Sequence, residues 1–575
     1  MTPFLSSTRF TAFLALWLCL SSGFAAAFGE GYSEDEADIR EGRALFKSYC
    51  AACHDLGHDG IGPALGPVTL ERDKDWLQRF IENPQALLDS GDVVAEQLVR
   101  KYGVVMPTFG LAPEEVEKVL AYLHARRRPL RERVAVEDGR TVVENPVPEK
   151  LRRAGIALDL ELAWRVPASS EKFPRARINK LAGVRDGERD RLFVCDQNGF
   201  FYELGDEGPQ LVLEMSKVFP DFVSEPGLAT GFSSFAFSPD FESSRLVYTQ
   251  HAERGDAKEA DFKVPEGDEA QLQYAINEWR MEEHGGKSIL VGPRELLRIE
   301  MIDTSHGMQE LAFNPYAVEG DGDYGLLYVG VGDGGASYIR RVDLVEDGSR
   351  IWGKLLRIDP RGSDGRSGEY GIPAGNPFAG GSTGRPAGLP EVYALGFRNP
   401  NTMAWSQGGE LFVSDIGHWN VEELNRVVVG ADYGWPRYEG VYEIDLKESQ
   451  RRIYARDGAA SPVVDPVIQI DHDEIRAIAG GFIYEGERLP LLKGLYLFGG
   501  IATGRVFVAD VKGAEEAEAK ELQLFVEGVE TTLSKMVNVG RADLRIGSDA
   551  AGEPFVLSKS DGSIWRVARA RRIQD

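Results

Sequence analysis

The residues able to do chemistry fall into two sets. The first is Cys50-Ala51-Ala52-Cys53-His54, the C-x-x-C-H spacing of covalent c-type haem attachment. Two thiols on one helical turn reach the two vinyl groups, and the adjacent imidazole then points at the iron. A C-x-x-C pair can also be half of a zinc site or a redox disulfide. Neither needs the histidine, and the sequence has no second C-x-x-C. Cys50 and Cys53 are the expected thioether positions and His54 the expected iron ligand. A thioether as sixth ligand raises the potential, which suits an electron carrier. Met106 stands in Val104-Val105-Met106-Pro107-Thr108, and no other methionine lies between Cys50 and Met215. A lone methionine is more often core filler, and His58 and His124 are rival ligands. His58 is too near the clamp, however, and His124 lies on the far helix.

The second set is spread over three segments. Ser305-His306-Gly307-Met308-Gln309 leads to Gly332-Asp333-Gly334-Gly335; then come Gly396-Phe397-Arg398-Asn399-Pro400-Asn401 and Asp415-Ile416-Gly417-His418-Trp419-Asn420. A histidine in a glycine-bordered loop, with an aspartate at another strand end, makes an oriented base. The carboxylate fixes the tautomer and the other nitrogen accepts a proton. An arginine and an asparagine between glycine and proline suit a planar anionic ligand, because the guanidinium fork binds paired oxygens. Singly, such residues are usually a structural histidine or a turn; only the set makes a site.

The elements that must position these residues differ between the two sets. Ile39, Ala44, Leu45 and Tyr49 recur at helical spacing before the clamp. Pro113-Glu114-Glu115 opens a helix whose face is Val116, Val119, Leu120 and Leu123. The arginines 126–128 close that helix, where cations favour the dipole, rather than dock an acidic partner. A Pro-containing stretch without periodicity follows, predicting a linker over 129–160. Beyond it the chain becomes short β runs punctuated by glycine, such as Arg191–Cys195, Gly325–Val331, Glu410–Ser414 and Pro554–Ser558. This strand–turn–strand texture predicts a β-propeller, with six blades of roughly 60–70 residues filling the span. Polar residues 251–290 read as a long inter-strand insertion. Cys195, mid-strand, reads as an inert buried thiol.

Residues 1–27 carry one charge, Arg9, then an apolar run Phe10–Leu20 and Ala25-Ala26-Ala27. That is the layout of a cleaved secretory signal peptide, and the run is too short to span a bilayer, which takes about 20 residues. Cys19 leaves with it. Four cysteines in 575 residues make no disulfide framework. No other apolar stretch predicts a transmembrane segment in the mature chain, so the expected location is the periplasm. A formal charge of −26, from 91 acidic and 65 basic residues, argues against a nucleic-acid partner.

Residues 28–128 resemble a class I cytochrome c, on Gly42, Phe46, the clamp, Gly62-Pro63, Gly66-Pro67 and Met106-Pro107. The resemblance implies a small all-α domain in which Pro63 buttresses the proximal histidine. Residues 161–572 resemble the glucose/sorbosone dehydrogenase family, on the three segments above together with Phe235-Ala236-Phe237-Ser238-Pro239-Asp240-Phe241, Gly353–Asp359 and Tyr370–Phe378. By that resemblance His306 is the general base and Asp333 the acid that orients it. Arg398 and Asn399 touch the reactive carbonyls of PQQ, and the backbone carbonyls of Gly417 and His418 hold Ca²⁺, a hard cation suited to oxygen ligands. The sequence departs from the family at Met308-Gln309, at Ala229 and at Ala502, where a cofactor-binding lysine is expected. Arg505 or Arg541 is the candidate replacement for that charge.

The resemblances together imply a periplasmic quinohaemoprotein. A small aldose or polyol is oxidised at PQQ, and electrons pass to the fused haem and on to a soluble cytochrome or terminal oxidase. A tether raises the effective concentration of the acceptor. One alternative is an electron-transfer cytochrome fused to a PQQ-less propeller that serves as a binding module. A Ca²⁺-dependent hydrolase or lactonase is disfavoured by the haem and by the lack of a carboxylate and asparagine ligand set.

Overall fold

The structure, a computed structural model, describes residues 31–573 apart from 52–53, 55, 58–61, 104, 128–139, 172–173, 227–229, 347, 381–387, 448–449, 457–462 and 539–540, and the side chains of 47 and 48. The expected signal segment, Cys53, His58 and Ala229 therefore lie outside the described residues. The chain divides into two compact units, Met1–Val136 and Glu137–Asp575, and the division falls inside the stretch expected as a linker.

The smaller unit is all helix. Its helices start where an Asx side chain can accept an otherwise unpaired backbone N–H. Asp35 caps Glu36–Leu45, Asp73 caps Lys74–Glu82, Asn83 caps Pro84–Asp89 and Asp92 caps Val93–Tyr102. Pro113 begins Pro113–Ala125, where Glu115 reaches back to the Ala112 N–H at 2.7 Å. Arg127 donates to the carbonyl of His124 at 2.7 Å, so this end of the arginine run does close the helix. The expected apolar face, Val116, Val119, Leu120 and Leu123, is buried with Phe46, Leu77 and Leu111. Glu36–Leu45 crosses Pro113–Ala125 so closely that a side chain at Gly42 would collide with the Lys118 backbone carbonyl. Glu36–Leu45 continues as a single π turn, Phe46–Cys50, which delivers Cys50 at its end.

The larger unit is built from antiparallel runs of strands. The first run is Ile178–Asp186, Arg189–Asp196, Phe200–Gly205 and Gly208–Glu214; the next is Phe232–Phe237, Leu246–Arg254, Leu272–His284 and Lys287–Met301. Further runs begin at Met308–Phe313, Pro400–Trp405, Ile478–Ile483 and Leu544–Ser548. The last of these takes its fourth strand from the far end of the chain: Arg152–Arg165 pairs antiparallel with Ser563–Arg572. The hydrogen-bonded ladders form five sheets, none of them closed.

The first strands of successive runs stand side by side in the same sense. Asn179 donates to the Ser233 carbonyl, and Ser234 accepts from the Leu311 N–H. Glu310 accepts from the Met403 N–H, Asn401 donates to the Ile478 carbonyl, and Ala182 pairs in parallel with Ser548. The last two first strands, Ile478–Ile483 and Leu544–Ser548, also touch. One end of every run is thus shared: the start of its first strand and the finish of its second.

Two expectations are corrected. The linker does not reach residue 160, because a strand begins at Arg152. Before it, Arg140 stacks on Tyr454 at 3.8 Å and Val142 bridges to Tyr454. Residues 251–290 are not an insertion: 251–254, 272–284 and 287–290 belong to long paired strands, with 272–277 wholly buried and exposure greatest at the hairpin end around 282–287. Cys195 is a buried mid-strand thiol, and burial pushes its pKa up to about 12.

Candidate haem and active sites

In the helical unit, His54 Nδ1 lies 2.8 Å from the Pro63 carbonyl. A carbonyl only accepts, so Nδ1 carries the proton and Nε2 the lone pair that an iron takes. Gly62 lies against the same ring, where a Cβ would clash. The arrangement fits a haem ligand and gives Pro63 the expected position behind it. Met106 is half-buried in the loop between Val93–Tyr102 and Pro113–Ala125. The rival His124 is engaged elsewhere. It stacks on Tyr32 with ring centroids 4.4 Å apart, and its Nδ1 faces Thr69 Oγ1 at 3.2 Å.

In the β unit the three segments meet at the shared end of two neighbouring runs. His306 precedes Met308–Phe313, Asp333 follows Leu327–Val331, and Arg398 and Asn399 precede Pro400–Trp405. The Asp333 N–H donates to the Arg398 carbonyl at 2.8 Å, and the Gly334 N–H to the His306 carbonyl at 3.1 Å, locking the segments together. His306 takes φ +51°, a left-handed conformation that costs a side-chain-bearing residue about 1 kcal/mol. Its Nδ1–H donates to Asp333 Oδ1 at 2.7 Å, so Nε2 bears the lone pair. Burial, then the positive Arg398, pulls the His306 pKa below its ordinary value, against the smaller opposing pull of Asp333. Burial pushes Asp333 up, but the charges of His306 and Arg398, with the His306 hydrogen bond, hold it below the usual range. At neutral pH the pair is a neutral imidazole oriented by a carboxylate, which is a competent base.

Arg398 is held from several sides. Its backbone N–H and that of Asn399 donate to the carboxylate of Asp415 at 2.8 and 2.5 Å. Its Nη2 donates to the Tyr338 hydroxyl at 2.8 Å, which stands 3.4 Å from His306 Nε2. Arg398 Nε and Asn399 Oδ1 are buried without a hydrogen-bond partner. Each such orphan costs about 1–3 kcal/mol, and two on adjacent residues beside an oriented base fit a polar ligand such as a quinone.

The expected Ca²⁺ site does not fit this arrangement. Arg398 Nη1 donates to the carbonyls of Ile416 and Gly417 at 3.0 and 2.5 Å, placing a guanidinium where a second cation was expected. Among the described residues no group of three or more histidine, cysteine or carboxylate side chains converges to hold a metal. Arg505 and Arg541 are also corrected as sources of spare positive charge. Arg505 is paired with Glu521 at 2.7 Å and Glu474 at 2.9 Å, and Arg541 with Asp543 at 2.6 Å.

Three further residues build the site: Tyr338 and Glu439, which no pattern marked, and Asp415, which opens the third segment. Tyr338 bridges Arg398 and His306, and Asp415 pins the Arg398-Asn399 backbone. Glu439 is buried, and its Oε1 gathers the N–H groups of His418, Trp419, Asn420 and Val421 at 2.7–3.2 Å. It thereby shapes the loop that presents Gly417 and His418.

Comparison with known proteins agrees with this division of the chain. A cytochrome c family model matches residues 39–126, and a glucose/sorbosone dehydrogenase model matches 188–533. The HIPL2 protein of Arabidopsis thaliana is 29% identical over 386 residues, covering 59% of this chain and 53% of that protein. Quinoprotein glucose dehydrogenase B of Acinetobacter calcoaceticus is 26% identical over 248 residues, or 42% and 46%. The chain thus spans about half the length of these curated relatives. The soluble aldose sugar dehydrogenase of Escherichia coli, in its apo form, matches in fold with a TM-score of 0.51 at 18% identity, covering 72% of this chain and 100% of that one. With an N-terminal cytochrome c domain and a family match over most of its β unit, the chain belongs to the glucose/sorbosone dehydrogenase family.

Proposed function

We propose that the protein is a cytochrome c-linked, PQQ-dependent dehydrogenase of an aldose or polyol. The observation that carries the reading is the buried His306–Asp333 pair beside the orphaned polar atoms of Arg398 and Asn399. PQQ, when bound, supplies an electron-accepting quinone. Arg398 and Asn399 hold it with their buried polar groups, and burial keeps water from competing. His306 Nε2 takes the hydroxyl proton of the substrate, and Asp333 stabilises the imidazolium that results. Cys50 and Cys53 hold haem c, with His54 and Met106 as its axial ligands. The runs of the β unit are the six blades of a propeller, closed by Arg152–Arg165. The protein works in the periplasm after removal of residues 1–27 and reduces a soluble cytochrome or terminal oxidase.

The test is haem reduction in purified, haem-loaded protein after adding PQQ and a panel of aldoses and polyols, with and without Ca²⁺. Reduction that needs both PQQ and a sugar supports the reading. A second reading, an electron-transfer cytochrome fused to a PQQ-less binding module, draws support from Ala502 and from the neutralised Arg505 and Arg541. No haem reduction together with no PQQ binding by titration would favour it.

A further inference from the structure

The chain has 91 acidic residues against 65 basic ones, so carboxylates to neutralise a buried cation are not scarce. Two cations nevertheless lack one. Lys559 is only 5% exposed, and its Nζ donates to a neutral acceptor, Gln197 Oε1, at 2.9 Å. Arg545 is half-buried and donates to Asn179 Oδ1 at 3.1 Å and to the Leu544 carbonyl at 2.8 Å, again neutral acceptors. Neither makes an ion pair with a described carboxylate. The nearby Asp543 is taken by Arg541, and Arg177 by Glu225 at 3.0 Å. Asp196 accepts from the Ser169 hydroxyl and the Asn198 N–H, and burial pushes its pKa upward. Cys195, also near Lys559, is a neutral thiol.

Burying cations without counter-charge is costly, and proteins seldom do so without a ligand to repay it. Burial, then the charge of Arg545, drives the Lys559 pKa well below its ordinary value; burial likewise takes Arg545 down to about 10. The placement is telling. Lys559 directly follows the second strand of its run, Pro554–Ser558, as Asp333 follows Leu327–Val331, and Arg545 stands at the start of the first strand, Leu544–Ser548. Because the first strands share one sense, the two cations lie at the same end of the β unit as His306.

We propose that Lys559 and Arg545 form a carboxylate-binding site on the His306 end of the β unit, serving either the quinone cofactor or an acidic sugar. The ligand's identity rests on the dehydrogenase reading; the unneutralised cation pair does not. The site replaces the charge missing at Ala502 with residues from a different run.

The test compares the full holoprotein with K559Q and R545Q, neutral amides that keep a donor for Gln197 and Asn179, and with K559R, which keeps the charge. PQQ affinity is read by titration, and ligand protection by the rise in Tm with galacturonate against galactose. The proposal expects K559Q and R545Q each to weaken PQQ binding about 10–100-fold, as loss of a charge-assisted contact should. K559R should bind like the parent, and the ligand-free Tm of the neutral variants should not fall. Unchanged PQQ binding with loss of galacturonate protection assigns the carboxylate to the substrate and still supports the site. Unchanged PQQ binding and unchanged protection in both neutral variants overturn it, as does equal weakening in K559R. If the parent binds no PQQ, the dehydrogenase reading fails, while galacturonate protection continues to test the cation pair.

Discussion

At the scale of single residues, His306 combines a strained backbone, a carboxylate partner and a nearby guanidinium. Replacing it with alanine is expected to abolish substrate-driven haem reduction and leave the haem spectrum intact; retained activity would remove it from the mechanism. Because burial and Arg398 hold its pKa below the ordinary value of about 6.5, the acid limb of kcat/KM should lie below that pH. R398Q removes the cation and should move the limb upward, alongside a loss of activity. Asp415 and Glu423 give a second pH effect. They face each other across neighbouring strands; burial pushes Asp415 up to about 7, and burial with the charge of Asp415 pushes Glu423 up to about 8. Two backbone N–H groups favour charge on Asp415, so at neutral pH the shared proton belongs on Glu423. The folded state then binds more protons than the unfolded chain between roughly pH 4 and 8, and stability falls as pH rises through that window. E423Q should flatten the decline in Tm over this range, and an unaltered slope would rule the pair out as its source. His306, Asp333, Arg398 and Asn399 were legible because each lies in a short glycine-bordered pattern. Tyr338, Glu439, Lys559 and Arg545 were not. Glu439 collects its donors from about twenty residues upstream, and the neutral partner of Lys559, Gln197, is distant in sequence.

At the scale of elements, the helices of the smaller unit follow from capping residues and apolar spacing that are local in sequence; the first and last were read from that spacing, and the four α-helices between them were not. Met106 lies in the loop between Val93–Tyr102 and Pro113–Ala125, and its ligand role is open to a direct check. M106A should change the reduced haem spectrum and the binding of external ligands, whereas an unchanged spectrum excludes it. The strand Arg152–Arg165 was misread because nothing near it announces pairing: its partners are Ser563–Arg572 and Lys520–Val526. Leu158 in this strand is fully buried, so L158A should destabilise the β unit by about 2–5 kcal/mol without altering the haem spectrum. A loss under about 1 kcal/mol would mean that the strand contributes little to the core. The 251–290 stretch misled for a related reason. In Leu272–His284 the charged residues gather toward the hairpin end, where 278–284 is mostly exposed, while 272–277 is buried on both faces and shows no two-residue period.

At the scale of the whole molecule, two family matches on one chain place a cytochrome c domain and a dehydrogenase fold under one covalent tether. Under the proposed function, haem reduction by substrate should have a first-order rate constant that does not change on diluting the protein. A rate that rises with protein concentration would instead mean electron exchange between molecules. The closing strand carries a further implication, for the order in which the protein matures. Translation makes the helical unit first, then Arg152–Arg165, and only at the very end the Ser563–Arg572 strand that it must meet. The β unit therefore stays incomplete until nearly the whole chain has been delivered, while the helical unit, compact by itself, is made early. The helical unit can thus be complete on a nascent protein whose β unit is still waiting for its last strand.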